Sequence, residues 1–153
     1  MSVEAGEKAP DFELPGDDGP VRLSKFRGGP VVLYFYPKDD TSGCTAEAKA
    51  FTDKRAAFAA AGATVIGVSK DSPAKHAKFR AKYALAPILA SDENGTMLER
   101  WGVWLEKSLY GRKYMGIDRS TFLIDGEGVV RRVWRKVKVP GHAEAVLEAV
   151  KAL

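Results

Sequence analysis

Hydrophobic positions along this chain follow two spacings, and the switches between them outline its elements. Val31-Val32-Leu33-Tyr34-Phe35-Tyr36 is an apolar and aromatic run without a charge. It predicts a strand buried on both faces, as in the middle of a parallel sheet. Pro37 ends it. A helix is predicted from about Cys44 to Ala61, with Ala48, Phe51, Phe58 and Ala61 near one side and Gly62 as its stop. Thr64 to Ser69 predicts a second buried strand, followed by a helix with Ser72 as N-cap and Pro73 at its first position. His76, Phe79 and Tyr83 share one face of that helix. A short strand over Ile88 to Ala90 and a short helix over Asn94 to Trp101 come next. Ser120 to Asp125 and Val129 to Trp134 flank Gly126-Glu127-Gly128 and predict a hairpin. The last helix runs from about Pro140, with Ala143, Val146, Leu147 and Val150 at helical spacing. Strands that alternate with helices imply an α/β sandwich around a mostly parallel centre, and the hairpin makes the sheet mixed.

A chain of 153 residues suits one domain, residues 1–153, with a substantial core. No stretch approaches the ~20 apolar residues that span a bilayer. The first eight residues, Met-Ser-Val-Glu-Ala-Gly-Glu-Lys, lack the basic start and apolar segment of a signal peptide. The expectation is a cytoplasmic protein with no membrane contact. A net charge of +4 permits weak contact with anions and identifies no partner. Arg131, Arg132, Arg135, Lys136 and Lys138 form a basic cluster. It reads as a solvated edge strand guarded against aggregation, and no nucleic-acid module accompanies it. The two histidines, His76 and His142, lie far from each other and from the single cysteine. No metal and no cofactor are therefore expected, and a Cys–His hydrolase lacks a supporting motif. Trp101, Trp104, Tyr110 and Tyr114 crowd one segment and read as core or as the rim of a site.

Candidate chemistry centres on Cys44, the only cysteine. It falls where a buried strand has ended and a helix begins, and ligand sites in open α/β sheets favour the carboxyl ends of strands. Free N–H groups and the positive end of the helix dipole also gather there. Both stabilise an anion, and cysteines so placed can have pKa values lowered from ~8.5 into roughly the 3.5–7.5 range. The thiolate is the nucleophilic form. The competing expectation is a buried, inert thiol.

Pro37-x-x-x-Thr41-x-x-Cys44 resembles the active-site motif of peroxiredoxins, thiol peroxidases built on a thioredoxin-like fold. The wider match is to the bacterioferritin comigratory protein, or peroxiredoxin Q, subfamily, and it covers nearly the whole chain. Ala9-Pro10-Asp11-Phe12, Gly67-Val68-Ser69 with Asp71-Ser72, Arg119 to Asp125, and Gly141-His142-Ala143-Glu144 all resemble it. The resemblance implies that Cys44 is the peroxidatic cysteine, oxidised to a sulfenic acid as the O–O bond breaks. It implies that the Thr41 hydroxyl holds thiolate and peroxide together, besides acting as a helix N-cap. Pro37 is expected to shield the thiolate, and the permanently charged Arg119 to stabilise developing charge.

The chain departs from the subfamily at two positions. Most members carry a resolving cysteine five residues after the first, where this chain has Lys49. A rarer location in the next helix, between His76 and Tyr83, has none either. An intramolecular disulfide is impossible here, so the expected cycle is of the one-cysteine type. The hydroperoxide substrate oxidises Cys44, and an external thiol (thioredoxin, glutaredoxin or glutathione) reduces it. Ser42 stands where proline is usual. A monomer is expected. The rival from another class is a non-catalytic thioredoxin-like binding module or chaperone.

Overall fold

The computed structural model describes residues 2–153. Near the start, β1 (Glu13–Leu14) and β2 (Val21–Arg22) form a small antiparallel pair. Then follow β3 (Val31–Phe35), α1 (Ser42–Asp53), α2 (Arg55–Ala60), β4 (Thr64–Ser69) and α3 (Pro73–Tyr83). The second half contains β5 (Ile88–Ser91), α4 (Thr96–Arg100), β6 (Trp104–Leu109) and β7 (Arg112–Ile117). It closes with β8 (Ser120–Ile124), β9 (Val130–Trp134) and α5 (His142–Lys151).

The main sheet has the order β5-β4-β3-β8-β9. The three strands on the β5 side run parallel, while β8 pairs antiparallel with both β3 and β9. This is the mixed α/β sheet that the hydrophobic pattern implied, in the thioredoxin-like arrangement that the resemblance implied. Alternate residues of β3 point to opposite faces, so the strand feeds two separate cores. Val31, Leu33 and Phe35 pack with Ile66, Val68, Trp101 and Phe122 on one face. Val32, Tyr34 and Tyr36 pack with Phe51, Phe58, Phe79 and Val146 on the other, the face covered by α1, α2, α3 and α5. Each such fully buried large side chain contributes about 1.5–3 kcal/mol relative to exposure. The Tyr34 ring stacks on Phe51 at a centroid distance of 4.8 Å. It also crosses Gly67 of β4, where a Cβ would lie only 2.7 Å from the tyrosine Cζ.

Three expectations need correction. The helix predicted over Cys44 to Ala61 begins at Ser42 and is broken at Lys54, with φ −102° and ψ 13°. Just before the break the Thr52 hydroxyl donates to Ala48 O at 2.7 Å and accepts from Ala86 N–H at 3.0 Å, tying the end of α1 to the loop after α3. The last helix starts two residues after Pro140, because Gly141 adopts φ +77°. The aromatic segment is neither all core nor all rim. Trp101 is fully buried, but Trp104 to Ile117 forms a separate two-stranded hairpin, and Tyr110 at its tip is 97% exposed. The basic run is placed as expected, with Arg131 and Arg132 exposed on β9 at the sheet edge.

Candidate active site

Cys44 is the third residue of α1, and the first helical bond runs from Thr45 N–H to Thr41 O at 2.8 Å. The N–H groups of Ser42, Gly43 and Cys44 therefore lie at the open, positive end of the helix. Sheet register brings the second component to this point. Antiparallel pairing sets Phe35, the last residue of β3, opposite Ser120, the first of β8. Arg119 precedes Ser120, so it emerges at the carboxyl end of β3, where the chain turns into α1. Its Nη2 donates to Cys44 Sγ at 3.4 Å. Gly43 leaves room for the guanidinium, because a Cβ there would meet Nη2 at 3.1 Å.

Cys44 is 1% exposed and belongs to the apolar cluster beneath α1. The structure thus gives the thiol an apolar pocket with one cationic wall. In such a medium a nearby charge acts more strongly than it would in water.

Sequence reasoning missed Glu47. It lies one helical turn after Cys44, on the same face, and is 2% exposed. Arg119 Nη1 donates to Glu47 Oε1 at 2.7 Å, so the guanidinium bridges carboxylate and sulfur from two nitrogens. The Glu47 Oε2 atom is buried without a hydrogen-bond partner among the described residues. Burial pushes the Glu47 carboxyl from 4.5 up to about 7, with Arg119 pulling the other way. Burial also works against the charge on Arg119, but Glu47 and Cys44 more than compensate, and its pKa is raised.

That geometry gives a pH dependence of stability. An unfolded chain ionises Glu47 near its ordinary 4.5, whereas the folded chain holds the proton to about 7. Between these values the unfolded state binds fewer protons, so stability falls as pH rises, by at most about 3 kcal/mol over the window. Glu47→Gln, which stays neutral throughout, should therefore gain on wild type by up to about 3 kcal/mol across this range in urea titrations. A difference that is constant with pH would assign the proton elsewhere.

The other expected site residues are placed less directly. Thr41 occupies the N-cap position of α1, yet its hydroxyl makes no capping bond. It donates to Lys38 O at 2.8 Å and is not bonded to Cys44. Pro37 follows the end of β3, as a strand terminator should, and is exposed. Lys49, where a resolving cysteine was sought, is exposed on α1 with Nζ 5.2 Å from the centre of the Tyr83 ring. The histidines serve other partners. His76 meets Asp39 and Ala90, and His142 Nε2 meets the Thr121 hydroxyl at 2.8 Å. Burial, aided by the charge of Arg119, lowers the His142 pKa to about 4. No helix among the described residues is long and apolar enough to cross a membrane.

Comparison with known proteins places the chain in a family. A sequence model of the AhpC/TSA family matches residues 5–133. The chain is 51% identical to the putative peroxiredoxin bcp of Coxiella burnetii over 148 residues, 96% of this chain and 98% of that protein. It is 50% identical to Peroxiredoxin Bcp of Bacillus subtilis over 152 residues, 99% and 97% of the two chains. Among solved structures, a cysteine-to-serine mutant of Xylella fastidiosa PrxQ matches with a TM-score of 0.93 and 37% identity, covering 99% of this chain and 98% of that one. The Xanthomonas campestris bacterioferritin comigratory protein, studied for its alkyl peroxide reduction activity, gives a TM-score of 0.87 and 44% identity over 92% and 90%.

Proposed function

We propose, from the premise that the chain belongs to the AhpC/TSA family and is a thiol-dependent peroxidase, that Cys44 is its peroxidatic cysteine and works in a one-cysteine cycle. The observation that carries this reading is the contact of Arg119 Nη2 with Cys44 Sγ at 3.4 Å, at the start of α1.

In the first half-reaction the thiolate attacks the terminal oxygen of a hydroperoxide. The S–O bond forms as the O–O bond breaks, and the departing oxygen leaves as water or an alcohol once it gains a proton. Cys44 is oxidised by two electrons to sulfenic acid. Arg119 is the preorganised charge for this step: it faces the anion before attack and the oxygen that gains charge during it. The Thr41 proton is committed to Lys38 O. Its oxygen retains lone pairs that can accept from the peroxide O–H and align it. Pro37, in the loop that leads to Cys44, offers no backbone N–H, and its part in this reading is to shield the thiolate.

The second half-reaction needs a thiol from outside the chain, because the sequence holds one cysteine. A reductant thiol attacks the sulfenic sulfur, releasing water and leaving a mixed disulfide. A second thiol then frees Cys44 and carries away the disulfide. Thioredoxin, glutaredoxin and glutathione all supply this chemistry. Cys44 is 1% exposed and must first be uncovered for a protein thiol to reach its sulfur, so the start of α1 moves between the two half-reactions. Arg119 and Glu47, the polar groups around the sulfur, come from the same chain. The reading extends to a cytoplasmic monomer that works as one domain, since these two groups and the sulfur suffice for the chemistry without a second copy.

Mass spectrometry after one equivalent of peroxide tests the cycle. One oxygen is expected on Cys44, followed by a mixed disulfide when a single thiol is added. Turnover measured separately with thioredoxin, glutaredoxin and glutathione then identifies the reductant. Steady turnover with no external thiol would overturn the one-cysteine cycle. An inert Cys44 would favour the binding-module reading.

A further inference from the structure

The segment from Tyr36 to Thr41, which leads from β3 into α1, is fastened to the rest of the fold at Asp39. The Asp39 N–H donates to Asp71 Oδ2 at 2.8 Å, and the Ser69 hydroxyl donates to the same oxygen at 2.7 Å. The Asp39 carboxylate takes the Tyr36 hydroxyl on Oδ1 at 2.5 Å and faces His76 Nδ1 with Oδ2 at 2.6 Å. The other ring nitrogen, His76 Nε2, lies 3.0 Å from the carbonyl oxygen of Ala90.

These partners decide the state of the ring. A carbonyl can only accept, so Nε2 carries a proton. Asp39 already receives a proton from Tyr36 on one oxygen and, as a carboxylate, accepts on the other. Both ring nitrogens then donate, and the ring is an imidazolium. The His76 side chain is 0% exposed and that of Asp39 is 6% exposed. A charge pair this deep persists where hydrogen bonds satisfy both members, and here they do. The titratable groups that face the ring are Asp39 from the loop, Tyr36 after β3 and Asp71 after β4. Burial pulls the imidazole pKa down, but the bond and charge of Asp39, the Ala90 carbonyl and the charge of Asp71 raise it above the ordinary 6.5.

We propose that His76 is a positioning residue for the peroxidase reaction: as an imidazolium held between Asp39 and the Ala90 carbonyl, it fixes the loop that presents Thr41 and Cys44 to the peroxide. The connection is short. Lys38, next to Asp39, supplies the carbonyl that orients the Thr41 hydroxyl. Asp40, on the other side, adopts φ +60° and is tied to α3 by Lys82 at 2.8 Å and the Tyr83 hydroxyl at 2.6 Å. Two consecutive loop residues thus dock on the helix that carries His76, and the second half of the anchor is exposed while the first is sealed from water. The inference rests on Cys44 being the reacting thiol.

Two measurements test it. Nitrogen-15 NMR of the wild-type protein reports the ring directly, and sequential backbone assignment distinguishes its two histidines. His76 is expected to show two protonated nitrogens at about pH 7, above its ordinary pKa, with His142 neutral. A neutral His76 ring there would overturn the proposal, whether or not any variant folds. Stopped-flow oxidation of Cys44 by hydrogen peroxide reads the consequence. His76→Gln and Asp39→Ala should lose about 10–100-fold in rate constant, the scale of a misplaced reacting group. Asp39→Asn should recover the larger part, since the introduced amide can accept from Tyr36 and donate to a neutral ring. The wild-type rate should also fall at alkaline pH as the ring loses its proton, a limb missing from His76→Gln. Equal rates and profiles in wild type and His76→Gln would overturn the positioning role. A wild-type Cys44 as unreactive as a free thiol would instead sink the assignment of the site, and this inference with it.

Discussion

Cys44→Ser should abolish thiol-dependent peroxide consumption, a fall on the order of 10⁴-fold or more, the scale seen when a covalent catalyst loses its nucleophile. A serine hydroxyl is not ionised at neutral pH, and its oxygen is a far weaker nucleophile than a thiolate. The test is sharper here than in a protein with two cysteines, because no second thiol in this chain can substitute. The fold should survive. The replacement is close in size, and the new hydroxyl can accept the hydrogen bond that Arg119 Nη2 now gives to sulfur. The stability cost expected for such a buried exchange is about 0.5–3 kcal/mol. Peroxide consumption with a thiol reductant, followed beside a thermal melt of the same preparation, separates the two effects. A folded serine variant that turned over at the wild-type rate would remove Cys44 from the mechanism.

How far the sequence revealed this site depended on the separation of the interacting groups. The strands β3 and β4 were legible because β3 and most of β4 are buried on both faces, so their runs carry no charge. The start of α3 was legible because Ser72 and Pro73 are local signals, and the Ser72 hydroxyl does accept from Lys75 N–H at 3.2 Å. Cys44 and Arg119 were legible through a motif. The resemblance implied that they meet, but the physical reason was not legible, since it lies in the register that sets Phe35 against Ser120. Glu47 was hidden differently. An acidic residue near a helix start ordinarily reads as a solvated partner of the dipole, and only the packed structure turns it inward against a cation 72 positions away. Asp39 and His76, 37 positions apart, are joined by the packing of α3 beside β3. The β6–β7 hairpin escaped notice because it stands apart from the main sheet. With most of its residues exposed, it shows no clean alternation of apolar and polar positions. Its turn is signalled only by Tyr110-Gly111, at φ +51° and +78°.

Arg119→Leu should slow oxidation of Cys44 by about 10²–10³-fold, the usual cost of losing one preorganised donor at a site of developing charge. Arg119→Lys should recover little, because one ammonium cannot reproduce the fork that reaches Glu47 Oε1 and Cys44 Sγ from two nitrogens. Stability should suffer less than the roughly 3–5 kcal/mol that follows when a buried charge is stranded. Glu47 explains why. Its carboxyl already holds its proton to about 7, and Arg119 is the influence that opposes burial. Without the guanidinium that pKa rises further, and the residue becomes neutral rather than an uncompensated anion. The same logic gives the double-mutant cycle its sign. Glu47→Gln alone should slow Cys44, since it loosens the anchor of Arg119, whereas added to Arg119→Leu it should change the rate little. Additive effects would mean that Glu47 acts on the sulfur independently of Arg119, and a wild-type rate in Arg119→Leu would mean that the cation beside the sulfur takes no part in the chemistry.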